Sequence, residues 1–376
     1  MIQTSRQRVL EAFNHRTPDR IPIELGSTRA SGIHVEAYQK LKTFLHHSDK
    51  EKDTIIKFCQ VAIPSESILE HFGVDFRPIM IGAPKNFENI KLPNEVWQDE
   101  WGVRRTKPEG SHYYDLQKSP LDDENLQIND LHAYPWPDPE DSGRIEGISE
   151  RYHYLREKTD YAIVLHLGAE LGLQTQYLRG FEQWFLDLAM RKEFAHVLLD
   201  KVFDYQLSLT DFVLKKLPGQ VDVIYLVDDF ATQQGLMISP KTYRSYLKPK
   251  QKALVDFIKS RTDAKIMLHL CGSVVDILDD LIEIGIDAIN PVQISAKGME
   301  PENLKSRFGD RLVFWGAVDG QHILPKGSVS EVKSEVVRLI RIFGEGGGFV
   351  LGPCHNIQPD VPPENICAMY EAALSY

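Results

Sequence analysis

A histidine and a cysteine one residue apart, His269 and Cys271, stand at the end of a short apolar run, and a further cysteine, Cys354, follows another such run. Side chains two positions apart in a strand point to the same side, so this imidazole and thiol can reach one metal ion. Zinc prefers such ligands, and three protein ligands leave one coordination position open for substrate. An isolated His-x-Cys is more often a core histidine beside an unrelated thiol. The placement of all three residues at strand ends nevertheless favours a catalytic zinc site.

Other polar side chains follow the same kind of apolar run, and a parallel barrel brings the carboxyl ends of its strands to one shared cavity. We expect acid–base or pocket-shaping roles for Asp228, Glu170 and His355. The side chains expected to bind the substrate are Asp229, Asn290, Gln293, Asp319 and Asn356. Because adjacent residues of a strand face opposite sides, one of the two neighbouring aspartates should enter the cavity while the other caps a loop.

The elements that must position these side chains are short apolar runs separated by longer helical patterns. The predicted strands span residues 21–25, 74–79, 161–167, 223–227, 265–269, 286–290, 312–316 and 348–352. They show little alternation, which is typical of strands buried on both faces of a parallel sheet. Strands alternating with helices predict an α/β fold, a (β/α)8 TIM barrel with N-terminal insertions. An open doubly wound sheet is the alternative, but no glycine-rich phosphate-binding motif follows an early strand.

The pattern predicts a single barrel domain over residues 1–376, with an irregular insertion and a proline-rich connection at 80–140 inside it. Residues 80–120 are expected to form antiparallel excursions from the barrel. The stretch AYPWPDPED at 133–141 should be an extended connection, since proline disfavours regular structure around it. We treat this stretch as part of one domain because predicted strands lie on both sides of it.

Composition and charge exclude several classes of function. The formal net charge is −11 without any lysine- or arginine-rich block, which argues against nucleic-acid binding. No apolar run reaches the roughly 18 residues of a membrane span. The start of the chain has the pattern of an amphipathic helix and lacks the apolar core of a signal peptide, so we expect a cytoplasmic protein. Four cysteines in so long a chain do not indicate a disulfide framework.

Several segments resemble the uroporphyrinogen decarboxylase superfamily, and within it the branch of methylcobamide:thiol methyltransferases of the coenzyme M type. The segments are RQRVLEAFNHRTPDRIP (6–22), VDDFATQQGLMISPKTYRSYLKP (227–249), LHLCGSVVDILDDLIEIGIDAINPVQ (268–293) and GGGFVLGPCHNIQPDVPPEN (346–365). The resemblance implies a (β/α)8 barrel and zinc bound by His269, Cys271 and Cys354. It also implies a methylcobamide (corrinoid) co-substrate carried by a partner protein, and a small thiol or pterin as methyl acceptor.

In that branch, a zinc-bound thiol loses its proton and attacks a cobalt-bound methyl group. The decarboxylases of the superfamily are the alternative, and they rely on an arginine-rich N-terminal motif. Here GSTRASGIH offers Arg29 alone, which disfavours a substrate with many carboxylates. A second alternative is a non-catalytic corrinoid- or tetrapyrrole-binding protein, although the D-x-H-x-x-G corrinoid-ligating motif does not occur. The chain could also form a homodimer.

Overall fold

The computed structural model of the chain describes residues 2–47 and 55–376. Its strands are β1 Ile33–His34, β2 Ile55–Ile56, β3 Val61–Ala62, β4 Phe76–Met80, β5 Ile90–Lys91, β6 Trp97–Gln98, β7 Arg104–Thr106, β8 Asp115–Lys118, β9 Ala162–Gly168, β10 Val223–Val227, β11 Ala231–Thr232, β12 Gly235–Leu236, β13 Lys265–His269, β14 Ala288–Asn290, β15 Val313–Val318 and β16 Phe349–Pro353.

Its α-helices are α1 Ser5–Phe13, α2 Val35–Phe44, α3 Glu66–His71, α4 Ile128–Ala133, α5 Ile148–Lys158, α6 Gly172–Arg179, α7 Phe181–Met190, α8 Lys192–Lys216, α9 Pro240–Tyr246, α10 Lys248–Lys259, α11 Leu278–Glu283, α12 Pro301–Phe308, α13 Ile323–Lys326, α14 Val329–Phe343 and α15 Pro363–Ser375. Two short 3-10 helices cover Ser142–Ile145 and Val275–Ile277. Among residues 2–47 and 55–376, none of these helices is both long and apolar enough to cross a membrane.

Parallel strands alternating with helices form a barrel. Seven of the strands pair in the order β16-β15-β14-β13-β10-β9-β4. Ile23 takes the remaining position, since it bridges in parallel to Leu351 of β16 and its carbonyl accepts a 2.9 Å hydrogen bond from the amide of Asp75 beside β4. The predicted run 21–25 is thus a bridge and not a full strand, because Pro22 has no amide hydrogen to extend a ladder. The (β/α)8 TIM-barrel prediction is confirmed.

The barrel strands form where the sequence has nearly continuous apolar residues. All five residues of β10 are buried, and β10 and β13 coincide with the predicted runs 223–227 and 265–269. The helices that follow begin at caps the sequence also shows. Ser239 precedes α9, where its hydroxyl accepts a 3.0 Å hydrogen bond from the amide of Thr242, and Pro240 occupies the first turn.

Apolar side chains close the end of the barrel at which the strands begin. Val9 and Phe13 of α1 are buried in the barrel interior together with Phe76, Trp315 and Val223. The ring centroids of Phe76 and Trp315 are 4.5 Å apart, and those of Phe13 and Trp315 are 6.1 Å apart. Because this end is filled with apolar side chains, a polar cavity inside the barrel can open only toward the carboxyl ends of the strands.

The insertion predicted at 80–120 contains a four-stranded antiparallel sheet in the order β5-β6-β7-β8. Residues 133–141 complete α4 and then run without helix or strand, and they pack through Trp136, whose ring centroid is 6.3 Å from that of Trp101. Strand β7 carries Arg105, which is buried and faces the mouth of the barrel. The insertion therefore contributes to the cavity above the barrel strands.

Candidate metal centre and active site

His269 ends strand β13, and the neighbouring strand β14 ends opposite it at Asn290. The Nδ1 atom of His269 lies 2.7 Å from Oδ1 of Asn290, and its Nε2 atom lies 3.3 Å from Sγ of Cys271. An amide oxygen accepts hydrogen bonds only, so Nδ1 carries the proton and Nε2 keeps its lone pair. Metal-binding histidines are commonly oriented by such a second hydrogen bond. The ring is therefore held with its free nitrogen toward the thiol.

His355 joins these two residues in one compact group. The potential ligand atoms of His269, Cys271 and His355 all lie within 4.8 Å of one another. Desolvation lowers the pKa of His269 to about 3 and that of His355 to about 4, so both imidazoles are neutral at pH 7, as a metal ligand must be. Desolvation also raises the pKa of Cys271 well above its usual range, so its thiolate needs a nearby cation. The donor set fits zinc.

Cys354, the third ligand expected from the sequence, is adjacent to His355 at the end of β16. It lines a cavity of about 280 Å³ that Cys271 and His355 also line. Desolvation, reinforced by Asp319, raises the pKa of Cys354 to about 12. The 4.8 Å group contains His355 and not Cys354, so the compact group differs from the predicted ligand set at this one residue.

The neighbouring aspartates after β10 have different surroundings. The carboxylate of Asp228 accepts hydrogen bonds from the amides of Gly172 (3.1 Å) and Leu173 (2.8 Å) and from the side chain of Gln251 (3.1 Å). It is buried away from the barrel mouth, whereas Asp229 lines the cavity there. The amides at the start of α6 occupy its oxygens, so Asp228 holds the start of that helix, and the catalytic role expected for it stays a prediction.

Glu170 forms an ion pair with Arg29, a residue that lines the cavity at the barrel mouth. Asn356 holds the loop that carries Arg29, since its amide nitrogen donates to the Arg29 carbonyl at 3.0 Å and its oxygen accepts from the amide of Gly32 at 2.8 Å. Glu24 contacts the same loop and accepts a 2.8 Å hydrogen bond from the amide of Ser27. Glu170 and Asn356 thus both act on the position of Arg29.

The last two predicted substrate-binding residues also make backbone contacts. Gln293 accepts a 2.9 Å hydrogen bond from the amide of Gly272, next to Cys271, and lines the 280 Å³ cavity. Asp319 accepts from the amides of Gln321 (2.7 Å) and His322 (2.6 Å). Asp319 is absent from the residues that line the cavities beside the metal group in the described part of the chain. Asp319 thus holds the loop after β15 and lies close enough to Cys354 to raise its pKa, and the substrate-binding role expected for it stays a prediction.

A second cavity, of about 370 Å³, lies on the other side of His355, at the mouth of the barrel. The residues that define its chemistry are Arg29, Phe58, Cys59, Arg105, Tyr113, Tyr177, Tyr225, Asp229, His269 and Asn356. We call it the mouth cavity. A larger hollow of about 640 Å³ lies against the antiparallel sheet, and none of the predicted site residues borders it. The mouth cavity adjoins the group that can hold a metal, so we take it as the substrate site.

Sequence reasoning missed Arg105, Tyr177 and Phe58, which form one wall of the mouth cavity. Arg105 belongs to the antiparallel insertion, and Tyr177 lies on α6. No spacing rule connects an insertion to a barrel mouth, because loop conformation decides which side chains face inward. The one visible signal was the pair Arg104-Arg105 in a strand, of which alternate residues must face opposite sides.

Known proteins resemble this chain in sequence and in structure. The family model described as uroporphyrinogen decarboxylase (URO-D) matches residues 113–376. The methylcobamide:CoM methyltransferase MtaA of Methanosarcina barkeri is 30% identical over 237 residues, which are 62% of this chain and 64% of that protein. A uroporphyrinogen decarboxylase of Pelodictyon phaeoclathratiforme is 27% identical over 180 residues, 47% of this chain and 48% of that protein. The alignments thus span between about half and two thirds of these relatives.

Among solved structures, a methyltransferase from Methanosarcina mazei matches with a TM-score of 0.64 at 20% identity. The match covers 99% of this chain and 98% of that one. At this identity the likeness establishes the barrel fold. Together with the sequence relatives, it confirms the resemblance predicted from the four motifs.

Proposed function

Because the chain belongs to the uroporphyrinogen decarboxylase family, we propose that it is a zinc-dependent methyltransferase acting between a corrinoid and a small thiol or pterin acceptor. The corrinoid would be presented by a separate protein. The observation that carries this proposal is the group of His269, Cys271 and His355, with potential ligand atoms within 4.8 Å of one another. The similar Methanosarcina barkeri enzyme acts, by its name, on methylcobamide and CoM, which supports methyl transfer.

His269 and Cys271 would hold the zinc, and we assign the third ligand to Cys354 in preference to His355. Two thiolates balance the double positive charge of zinc, and an unbalanced charge in a buried site is costly. His355 would then remain a neutral imidazole next to the residues that hold the metal. When bound, zinc supplies the positive charge that converts a coordinated thiol into a thiolate nucleophile at neutral pH.

The chain's own groups prepare the acceptor. Asn290 keeps the proton of His269 on Nδ1 and so directs Nε2 toward the metal position. His355 lines both the mouth cavity and the smaller cavity beside Cys271. Its pKa of about 4 leaves it unprotonated at pH 7, so it can accept a hydrogen bond from an acceptor thiol. Asp229 lines the mouth cavity, where it would bind the substrate.

Decarboxylation of a porphyrinogen is the second candidate, because uroporphyrinogen decarboxylases are also among the sequence relatives. Such a substrate carries many carboxylates and needs several cations around it. Arg29 and Arg105 are the arginines that line the mouth cavity, and Glu170 already pairs with Arg29. The surplus of positive charge is therefore small, which favours the methyltransferase.

Metal analysis of the purified protein, combined with a methyl-transfer assay, tests the proposal. We expect about one zinc per chain, loss of zinc in Cys271→Ser, and retention in Cys367→Ser, a matched cysteine in α15. We also expect methylcobalamin to lose its methyl group, seen by its absorption spectrum, when a thiol is added. Metal-free protein that decarboxylates uroporphyrinogen would overturn the proposal. Corrinoid binding without methyl loss would indicate a carrier.

A further inference from the structure

Three residues that line the mouth cavity each carry one buried side-chain atom that has no hydrogen-bond partner among the described residues. The atoms are Nη1 of Arg105, Oδ1 of Asp229 and the hydroxyl oxygen of Tyr225. A buried donor or acceptor without a partner costs free energy, and native proteins rarely leave such atoms unsatisfied. The Tyr225 hydroxyl is neutral, whereas Arg105 is a cation and Asp229 is a carboxylic acid. A ligand with an anionic group and a cationic group would therefore match the two ionisable residues.

Aromatic rings hold the guanidinium of Arg105 in place, but no carboxylate among the described residues forms a close hydrogen bond with it. Its centre lies 4.6 Å from the ring centroid of Phe58 and 4.2 Å from that of Tyr177, and only 6% of the residue is exposed. The Asp99 carboxylate is 3.8 Å from its Nε atom, too far for a hydrogen bond. Arg29, by contrast, is paired with Glu170. Arg105 is therefore the arginine available to a ligand carboxylate.

Asp229 offers the opposite charge. Desolvation, together with the neighbouring Asp228, raises its pKa to about 7. The carboxylate of Asp228 accepts hydrogen bonds from the amides of Gly172 and Leu173. It therefore provides no hydrogen bond to the unpartnered oxygen of Asp229. A cation placed against Oδ1 of Asp229 would both supply the missing partner and favour the ionised carboxylate.

We infer that the methyl acceptor is a small zwitterionic thiol, an amino acid whose carboxylate binds Arg105 and whose ammonium group binds Asp229. This inference rests on the proposed function and narrows its acceptor class. A thiol that is only anionic leaves Asp229 without a partner, and one that is only cationic leaves Arg105 without one. The cavity volume of about 370 Å³ is at the small end of ligand pockets, which suits an amino acid.

Calorimetric titration of the zinc-loaded protein with three thiols, in the absence of any methyl donor, tests this assignment. The probes are L-homocysteine, which carries both charges, 3-mercaptopropionate, which carries the anion alone, and cysteamine, which carries the cation alone. We expect L-homocysteine to bind about tenfold or more tightly than either of the others, since each charged hydrogen bond adds affinity.

Substitutions test whether Arg105 binds the ligand carboxylate and Asp229 binds the ligand ammonium group. Arg105→Gln should weaken L-homocysteine and 3-mercaptopropionate about tenfold and leave cysteamine unchanged, whereas Asp229→Asn should weaken L-homocysteine and cysteamine only. The exposed neighbour Arg104→Gln and the exposed Asp310→Asn are the matched controls and should change nothing. Arg105→Lys keeps the charge in case loss of the stacked guanidinium prevents folding, and it should retain part of the affinity.

The binding experiment separates this inference from the proposed function. Equal affinity for 3-mercaptopropionate and L-homocysteine would overturn the inference that the acceptor is a zwitterionic thiol. Unchanged L-homocysteine affinity in Asp229→Asn would overturn it as well. If the expected pattern holds but no thiol gains a methyl group from methylcobalamin, the assignment of the ligand class stands and the methyltransferase proposal fails. Methyl transfer to 3-mercaptopropionate with kcat/KM equal to that for L-homocysteine would contradict the inference alone.

Discussion

The imidazole of His269 donates from Nδ1 to the side-chain oxygen of Asn290 across 2.7 Å, between two neighbouring barrel strands. The strand register places these residues directly opposite each other, so the contact follows from the pairing of β13 and β14. It selects the tautomer whose Nε2 atom is free, 3.3 Å from the sulfur of Cys271. The pairing of two barrel strands thus fixes the orientation of the His269 ring.

Removing this orienting contact should weaken metal binding without removing a ligand. We expect Asn290→Ala to lower zinc affinity about 10- to 100-fold, because the ring loses the group that fixes its tautomer and angle. Competition with a zinc chelator measures the change. Asn365→Ala is the control, since Asn365 is equally buried but donates to the carbonyls of Leu324 and Gly327. Equal affinity of Asn290→Ala and wild type would refute the orienting role.

The third ligand can be assigned by two substitutions at adjacent positions. If Cys354 holds the metal, Cys354→Ser lowers zinc content and His355→Ala leaves it near one per chain while slowing methyl transfer. The expected slowing is about tenfold, as for loss of a hydrogen bond to the acceptor thiol. Zinc per chain and kcat are measured on the same preparations. Loss of zinc from His355→Ala, with retention in Cys354→Ser, would assign the ligand to His355.

The stability of the fold should depend on pH through Asp228. Desolvation raises its pKa in the folded protein from 3.8 to about 6. The folded state therefore holds this proton more tightly than the unfolded chain does. The contribution of Asp228 to stability is full below pH 4, declines as the pH rises from about 4 to about 6, and is constant above that. This difference in pKa corresponds to about 3 kcal/mol.

Asp228→Asn should abolish that decline. The free energy of unfolding, obtained by urea titration at several pH values, should fall less between pH 4 and 6.5 in the variant than in the wild-type protein. Asp280 serves as the contrasting case, because hydrogen bonds from Arg244 and Lys248 lower its pKa. Its carboxylate therefore stabilises the fold above pH 4, and Asp280→Asn should lower the free energy of unfolding there. Parallel curves for wild type and Asp228→Asn would show that Asp228 does not titrate in this range.

A buried ion pair at the start of the barrel strands should stabilise the closed barrel. Asp75 accepts hydrogen bonds from Arg8 and Arg20, each at 2.7 Å, and from the amide of Ile23 at 2.8 Å. Asp75→Asn should reduce the free energy of unfolding by about 3 kcal/mol or more, since two arginines lose their carboxylate. Urea unfolding measures this loss, and the exposed Asp310→Asn should change stability by less than about 0.5 kcal/mol. A loss as small as that of the control would refute this role.

The barrel could be predicted from the sequence because its strands are chemically uniform. The runs 223–227 and 265–269 match β10 and β13, since an apolar run bounded by polar residues marks a buried strand. The run 21–25 was expected to be a strand and is a single bridge at Ile23. The difference depends on Pro22 and on the pairing partner, Leu351, which lies far away in the chain.

Local spacing in the chain determined that a histidine and a thiol share one side of a strand end, and it placed polar groups at the carboxyl ends of the barrel strands. The tertiary structure decided which of them meet. It put Asp229 in the mouth cavity and Asp228 under α6, and it brought Arg105 from the insertion to face that cavity. Strand geometry is a property of a few consecutive residues, whereas a cavity wall joins segments whose approach depends on how the whole chain packs.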